Sequence, residues 1–219
     1  MSGAGPFVVS WSGGKDSALA FFRHRAAGGQ PLALLNMLDE TGTRSRSHGL
    51  RPEILSAQAS ALGLPLWTGH ASWATYREAF TALLTRAAQA GAREAVFGDI
   101  DLQDHRDWEE GVCAEAGLTA VLPLWQEPRR PLVEEGLRLG LRALIVAVRE
   151  DALPADLLGR PLDAALLDEI ERLGADACGE EGEYHTVVVD APGFAAPLRL
   201  HAGEVHRAGG VATLDLRLT

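Results

Sequence analysis

Val8-Val9-Ser10-Trp11-Ser12-Gly13-Gly14-Lys15-Asp16-Ser17-Ala18-Leu19 is the stretch that decides how this chain is read. Residues 7–11 form a short apolar run, expected to be a buried strand, and residues 17–27 follow as a helix. Between them lies a loop built for an anion. Gly13 and Gly14 let the backbone come close to a ligand and take up positive φ. A helix starting near Ser17 aims its free N–H groups and its positive dipole end at the same spot. Ser10, Ser12 and Ser17 add hydroxyls, and Lys15 adds a cation. Such a nest favours a diphosphate. It is not a Walker A loop, because Asp16 follows Gly14-Lys15 where that motif needs Ser or Thr. Two other readings compete. One is a plain Gly-Ser turn with a helix cap at Asp16 or Ser17. The other is a nucleophile elbow with Ser12 attacking, served by His185 with Glu183 or Asp190. An elbow normally follows several strands, whereas this loop follows the first, and it would leave Lys15-Asp16 without a role.

Outward from the loop, apolar runs alternate with amphipathic ones. Strands are expected at 32–38, 64–67, 95–97 and 119–122, and helices at 52–62, 76–90 and 103–116. Continuous apolar strands in a β-α alternation indicate a doubly wound α/β fold with a mostly parallel sheet, covered on both faces. Ligands of such sheets bind beyond the carboxyl ends of the strands, at a switch in strand order. That rule gathers the Ser12 loop, the Asp39 region and Gly98-Asp99 on one edge. The pattern changes at Gln126-Glu127-Pro128-Arg129-Arg130-Pro131. Helices near 132–139 and 163–173 follow, with strands at 143–148, 187–189, 198–207 and 211–218. The turn Ala208-Gly209-Gly210 makes the last two a hairpin. The expected organisation is residues 1–127 as a Rossmann-type domain and 128–219 as a smaller C-terminal α+β domain.

The bulk properties narrow the function classes. The chain has 219 residues, and its formal charge of −10 argues against a protein that tracks nucleic acid by its backbone. Two distant cysteines, Cys113 and Cys178, imply no disulfide framework, and the scattered histidines show no zinc spacing. Residues 1–6 lack a basic leader and no apolar run approaches the roughly 20 residues of a membrane span, so a soluble, cytoplasmic protein is expected.

Ser-Gly-Gly-x-Asp-Ser between strand and helix resembles the loop of the PP-loop ATP pyrophosphatases, the adenine nucleotide α-hydrolase-like superfamily. The resemblance implies ATP as substrate, pyrophosphate as leaving group, attack at the α-phosphorus, and Asp16 organising Mg2+. Lys15 and Asp16 would then be catalytic. Further motifs narrow the likeness: Gly98-Asp99-Ile100; His105-Arg106 with Glu109 and Val112-Cys113; Ala116-Gly117-Leu118; Pro123-Leu124-Trp125; and Cys178-Gly179-Glu180-Glu181-Gly182-Glu183-Tyr184-His185-Thr186 with Asp190-Ala191-Pro192. Together these resemble the diphthine–ammonia ligase family across about residues 7–195. The family implies an AMP-forming amide ligase, in which a small-molecule or protein carboxylate is adenylated and ammonia displaces AMP. Asp101-Leu102-Gln103-Asp104-His105-Arg106 departs from the Ser-Asp-Tyr-Gln-Arg usual in archaeal and eukaryotic members. It looks like a bacterial branch whose acceptor is not diphthine.

The resemblance assigns catalytic expectations to Asp99, Glu183 and His185, and acceptor contacts to His48, His105, Arg106, Glu109, Glu180 and Tyr184. Met37, at the end of the second strand, lies where adenine often sits in the superfamily and reads equally as core. His105, Arg106 and Glu109 read equally as an exposed salt-bridged helix face, and Glu180–His185 as an acidic surface turn. A PP-loop enzyme that modifies RNA, and a nucleotide-binding regulatory module without turnover, stand as alternatives. Ammonia is the expected co-substrate, and a homodimer is compatible with this reading.

Overall fold

A computed structural model describes residues 5–219; Met1–Ala4, part of the segment read for a leader, lies outside the described residues. By contacts the chain groups into two units. The first comprises the chain through Ser12 with Asp16–Ser47 and Gly63–Gln126. The second comprises Gly13–Lys15, His48–Leu62 and Glu127–Thr219. Two pieces of the N-terminal half therefore group with the C-terminal part.

The first unit is a five-stranded parallel sheet in the order β3-β2-β1-β4-β5, formed by β1 (Pro6–Ser10), β2 (Gln30–Leu38), β3 (Leu66–His70), β4 (Glu94–Val96) and β5 (Thr119–Val121). The strand order runs outward from β1 to β3 and then restarts at β4 on the other side of β1, so β1 and β4 flank the switch. Alternation along β1 serves two faces. Val8 joins the apolar cluster of Leu35, Phe80, Leu84, Phe97 and Val112, which lies under α3 (Tyr76–Gln89) and α4 (Gln103–Ala116). Phe7 turns the other way, onto Phe21 and His24 of α1 (Lys15–Ala26). The doubly wound α/β expectation is met.

The second unit is an antiparallel sheet in the order β7-β6-β9-β8, with β6 (Arg142–Arg149), β7 (Tyr184–Asp190), β8 (Leu200–Ala208) and β9 (Val211–Leu218). It also holds α2 (Pro52–Leu62), α5 (Arg129–Leu139), α6 (Ala164–Arg172) and a 3-10 turn at Ala155–Leu157. Arg51, just before α2, makes a two-pronged ion pair with Asp215 of β9, at 2.7 and 2.8 Å. Bidentate geometry of this kind fixes orientation as well as charge. The hairpin β8-β9 turns at Gly209-Gly210 as expected.

Among the boundaries that differ from the sequence reading are those of α1, β3 and β7. α1 starts at Lys15 rather than residue 17, because the loop is already helical when it leaves Gly14. β3 begins at Leu66 and runs to His70: Pro65 offers only its carbonyl, to the Leu34 N–H, while Gly69 and His70 pair with Met37 and Leu38. β7 begins at Tyr184, so Tyr184 and His185 belong to a strand, opposite Val148 and Ala147, and not to the acidic loop. Among the described residues no helix is long and apolar enough to cross a membrane.

Candidate active site

At the carboxyl edge of the parallel sheet, Ser12 follows β1 and Asp99 follows β4. The Ser12 and Ser17 hydroxyls lie 3.0 Å apart, so they share a hydrogen bond. Gly98 abuts the head of α1: a Cβ there would meet the Ser17 nitrogen at 2.7 Å. No side chain fits, and this close approach fixes where Asp99 leaves β4. The Asp99 carboxylate lies 2.7 Å from His105 Nδ1. Burial pushes its carboxyl up, but hydrogen bonds with His105 and Glu109 outweigh that and hold it below the usual carboxylate range. Glu109 is buried, at 5% exposure. Two carboxylates can share a hydrogen bond only by sharing a proton.

The remaining expectations in this unit divide. Arg106 is held by Glu110 at 2.7 Å and lies over the Trp125 ring, so it forms the salt-bridged helix face and leaves the Asp99–His105 pair to itself. Met37 is part of the buried cluster, and its carbonyl accepts from the Arg46 N–H. The side chain expected near adenine is therefore core. Ser10 ends β1, paired with Leu35 of β2.

The centre of the loop, Gly13–Lys15, is locked onto β7. The Thr186 hydroxyl accepts the Lys15 backbone N–H at 3.0 Å, capping the first turn of α1. The Gly13 carbonyl accepts from the Val188 N–H and from Gln58 Nε2, each at 2.9 Å, and Gln58 also donates to the Val188 carbonyl. Gly13 has φ +85, and Leu50, Leu55 and Gln58 fill the space a side chain would need. At Gly14 the constraint is space alone: a Cβ would meet the His48 ring at 2.3 Å and the Thr186 carbonyl at 3.1 Å. Lys15 is buried, with its ammonium on the Cys178 carbonyl and 5.0 Å from the centre of the Tyr184 ring. Tyr184 donates its own hydroxyl to the Ala177 carbonyl. It is 1% exposed, so it supports Lys15 and shows no surface to an acceptor.

His48 stacks on His185 with ring centres 4.5 Å apart, and its Nδ1 lies 2.9 Å from the Thr186 carbonyl. A carbonyl only accepts, so Nδ1 carries the proton and the lone pair sits on Nε2. Burial pushes the His48 pKa down to about 4, the Thr186 carbonyl opposes this, and the Lys15 charge adds to it. The ring is neutral at neutral pH. The acidic loop spends its groups on itself. Glu183 is buried and accepts from the Glu181 N–H at 3.1 Å, while Asp176 accepts from the N–H groups of Cys178 and Glu180. Glu180 is partly exposed at the rim of that turn. These bonds hold the Cys178 carbonyl where Lys15 meets it.

Sequence reasoning missed Gln58 and Thr186. Gln58 had a signal, a polar residue on the buried stripe Ile54, Leu55, Ala59 of α2. Thr186 closed the second motif, but a threonine entering a strand is ordinary. Among the described residues no group of three His, Cys, Asp or Glu is arranged to hold a metal ion.

A strand-loop-helix turn on a 3-2-1-4-5 sheet is the architecture of a doubly wound α/β protein, with the loop at the edge where such sheets bind ligands. Residues 6–120 match the family model described as the diphthamide synthase N-terminal domain, and residues 129–214 match that of the diphthamide synthase C-terminal domain. The chain belongs to the diphthamide synthase family. Similar curated proteins carry the name diphthine–ammonia ligase. The Bos taurus protein is 28% identical over 219 residues, covering 89% of this chain and 82% of that one. The Mus musculus protein is 29% identical over 236 residues, covering 95% and 88%. Among solved structures, a predicted subunit of tRNA methyltransferase from Methanocaldococcus jannaschii matches with TM-score 0.46 and 15% identity, over 85% of this chain and 97% of that one.

Proposed function

We propose that this protein is an ATP-dependent ligase that adenylates a carboxylate and transfers ammonia to it, releasing pyrophosphate and then AMP. The observation that carries the reading is the packed loop. Gly13–Lys15 is bonded to β7 and Gln58, and Gly14 has no room for a side chain. A phosphate cradle held this firmly is preorganised for the charge that develops on a leaving pyrophosphate. Family membership and relatives named diphthine–ammonia ligase support the amide-forming chemistry.

The acceptor carboxylate attacks the α-phosphorus, and the α–β bridging oxygen leaves with pyrophosphate. Lys15 supplies the cation for that group, and the head of α1 with Ser12 and Ser17 supplies donors. One carboxylate, Asp16, at a helix head suits a Mg2+ that arrives on the phosphates, since magnesium usually takes only one or two protein carboxylates beside them. Bound there, the ion would neutralise phosphate charge. Ammonia then adds to the acyl carbon, AMP leaves, and a proton is shed. Neutral His48 suits accepting a hydrogen bond at Nε2 from the incoming nitrogen, while the proton itself passes to solvent. Asp99, kept anionic, suits orienting an ammonium or a donor on the acceptor through His105. The departure at Asp101–Arg106 supports an acceptor other than diphthine.

The test is the nucleotide product. Purified protein is incubated with ATP, magnesium, ammonium and a bacterial metabolite extract, with Lys15→Ala as control. AMP and pyrophosphate are expected in equal amounts, falling by roughly 10²-fold or more in the control. ADP without AMP would overturn cleavage between the α and β phosphates.

A further inference from the structure

Trp73, between β3 and α3, is 72% exposed. A single exposed aromatic ordinarily calls for no explanation, but this one carries an arginine. The Arg46 guanidinium lies 4.3 Å from the centre of the Trp73 ring, and Tyr76 lies 5.6 Å from it on the side of the aromatic cluster of Phe80 and Trp108. Arg46 follows β2, pinned by its N–H to the Met37 carbonyl and by the neighbouring bridge of Ser45 to Leu38. Both Arg46 and Trp73 therefore sit beyond the carboxyl ends of β2 and β3, the edge where such sheets bind ligands.

The chain carries 30 acidic residues against 20 lysines and arginines, and on this unit Arg77 pairs with Glu115 and Arg106 with Glu110. Among the described residues Arg46 has no carboxylate partner, and its Nε is buried without a hydrogen-bond acceptor. An N–H buried in this way costs stability unless something accepts from it. A guanidinium stacked on an indole leaves its terminal Nη1–Nη2 edge for two-pronged bonding to a planar anion. The Tyr76 hydroxyl is pushed up to about 12, by burial first and then by the charge of Asp99, with Arg46 opposing, so it is a donor at neutral pH.

We propose that Arg46, spread on Trp73 beside Tyr76, clamps a carboxylate of the acceptor and so selects a small anionic molecule whose apolar part rests on the indole. Assigning that carboxylate to the acceptor rests on the ligase reading; the anion site itself does not. Binding is read from tryptophan emission of the full chain titrated with succinate or glutarate, with neutral succinamide as control, and Trp73→Phe assigns the signal. Saturable responses to the dicarboxylates are expected, absent in Trp73→Phe and at least about tenfold weaker in Arg46→Gln. Arg46→Lys should keep part of the affinity, while Mg·ATP binding stays within roughly twofold of wild type in every variant. No saturable response to either dicarboxylate, an equal response to succinamide, or unchanged affinity in Arg46→Gln overturns the proposal. So does a parallel loss of ATP affinity, which would give Arg46 to the nucleotide. Arg46-dependent carboxylate binding without AMP formation would sink the ligase reading and leave the anion site standing. AMP formation with an unchanged acceptor KM in Arg46→Gln would do the reverse.

Discussion

The region around Asp99 and the region around His48 solve opposite electrostatic problems. In the first, a carboxylate is kept charged although it is partly buried, because His105 and Glu109 bond to it. In the second, a histidine is kept neutral, because burial and the nearby Lys15 cation both disfavour a proton and only a backbone carbonyl favours one. A neutral ring against Gly14 adds no second positive charge beside Lys15. His48 is kept neutral mainly by burial, and the Thr186 carbonyl only partly offsets that.

The largest expected break in this contrast is Gly14→Ala. The added methyl would meet the His48 ring at 2.3 Å, so the loop and the histidine must both move. AMP formation should fall by about 10²-fold, the usual cost of misplacing reacting groups by an ångström. The double variant with His48→Ala should recover part of it. No recovery would show that the Thr186 carbonyl, not His48, sets the spacing.

The second break is in pH. The His48 pKa is lower folded than unfolded, so its contribution to stability is full above about pH 6.5 and is lost as pH falls toward about 4. The loss should be on the order of 2 kcal/mol, discounted because the ring is only partly buried. Urea melts across that window should show it, and His48→Gln should flatten the slope. A slope that persists in the variant assigns it elsewhere. Asp99 acts in a separate, more acidic window. Its depressed pKa adds stability above the ordinary aspartate range, near 4, which is lost as pH falls through the folded value.

A smaller effect is expected at the cap. Thr186→Val removes the acceptor for the Lys15 N–H and should cost about 1 kcal/mol in urea unfolding. The smallest is His105→Ala, which should let the Asp99 carboxyl titrate higher, followed by carboxyl carbon NMR, with little change in melting at pH 7. A large loss of stability there would mean that the pair holds α4 in place.

Local structure was what the sequence displayed best. The strand-loop-helix turn needs only contiguous residues, and the alternation of buried strands and helices identifies a covered parallel sheet. The acidic loop misled at Tyr184 and His185, since glycines and acids read as turn while the pairing with Val148 and Ala147 comes from a distant strand. Gln58 and Thr186 gain their meaning only when chain segments far apart in sequence meet Gly13 and Lys15. Glu183 shows the converse: its motif suggested chemistry, and its carboxylate is occupied with backbone N–H groups. The side chains of Arg46 and Trp73 carry no motif, and only the exposed indole with the buried, unbonded Nε of the arginine stacked on it singles them out.

Both native thiols are chemically quiet. Cys113 is fully buried, and burial with the charge of Glu109 pushes its pKa up to about 12. Cys178 is 1% exposed and points its Sγ at the Arg129 carbonyl at 2.8 Å. A maleimide dye therefore finds no target in the folded chain. One cysteine introduced at an exposed position such as Leu139, 44% exposed, becomes a clean attachment point for a spectroscopic label. Dye uptake by the unaltered chain becomes a direct clock for unfolding.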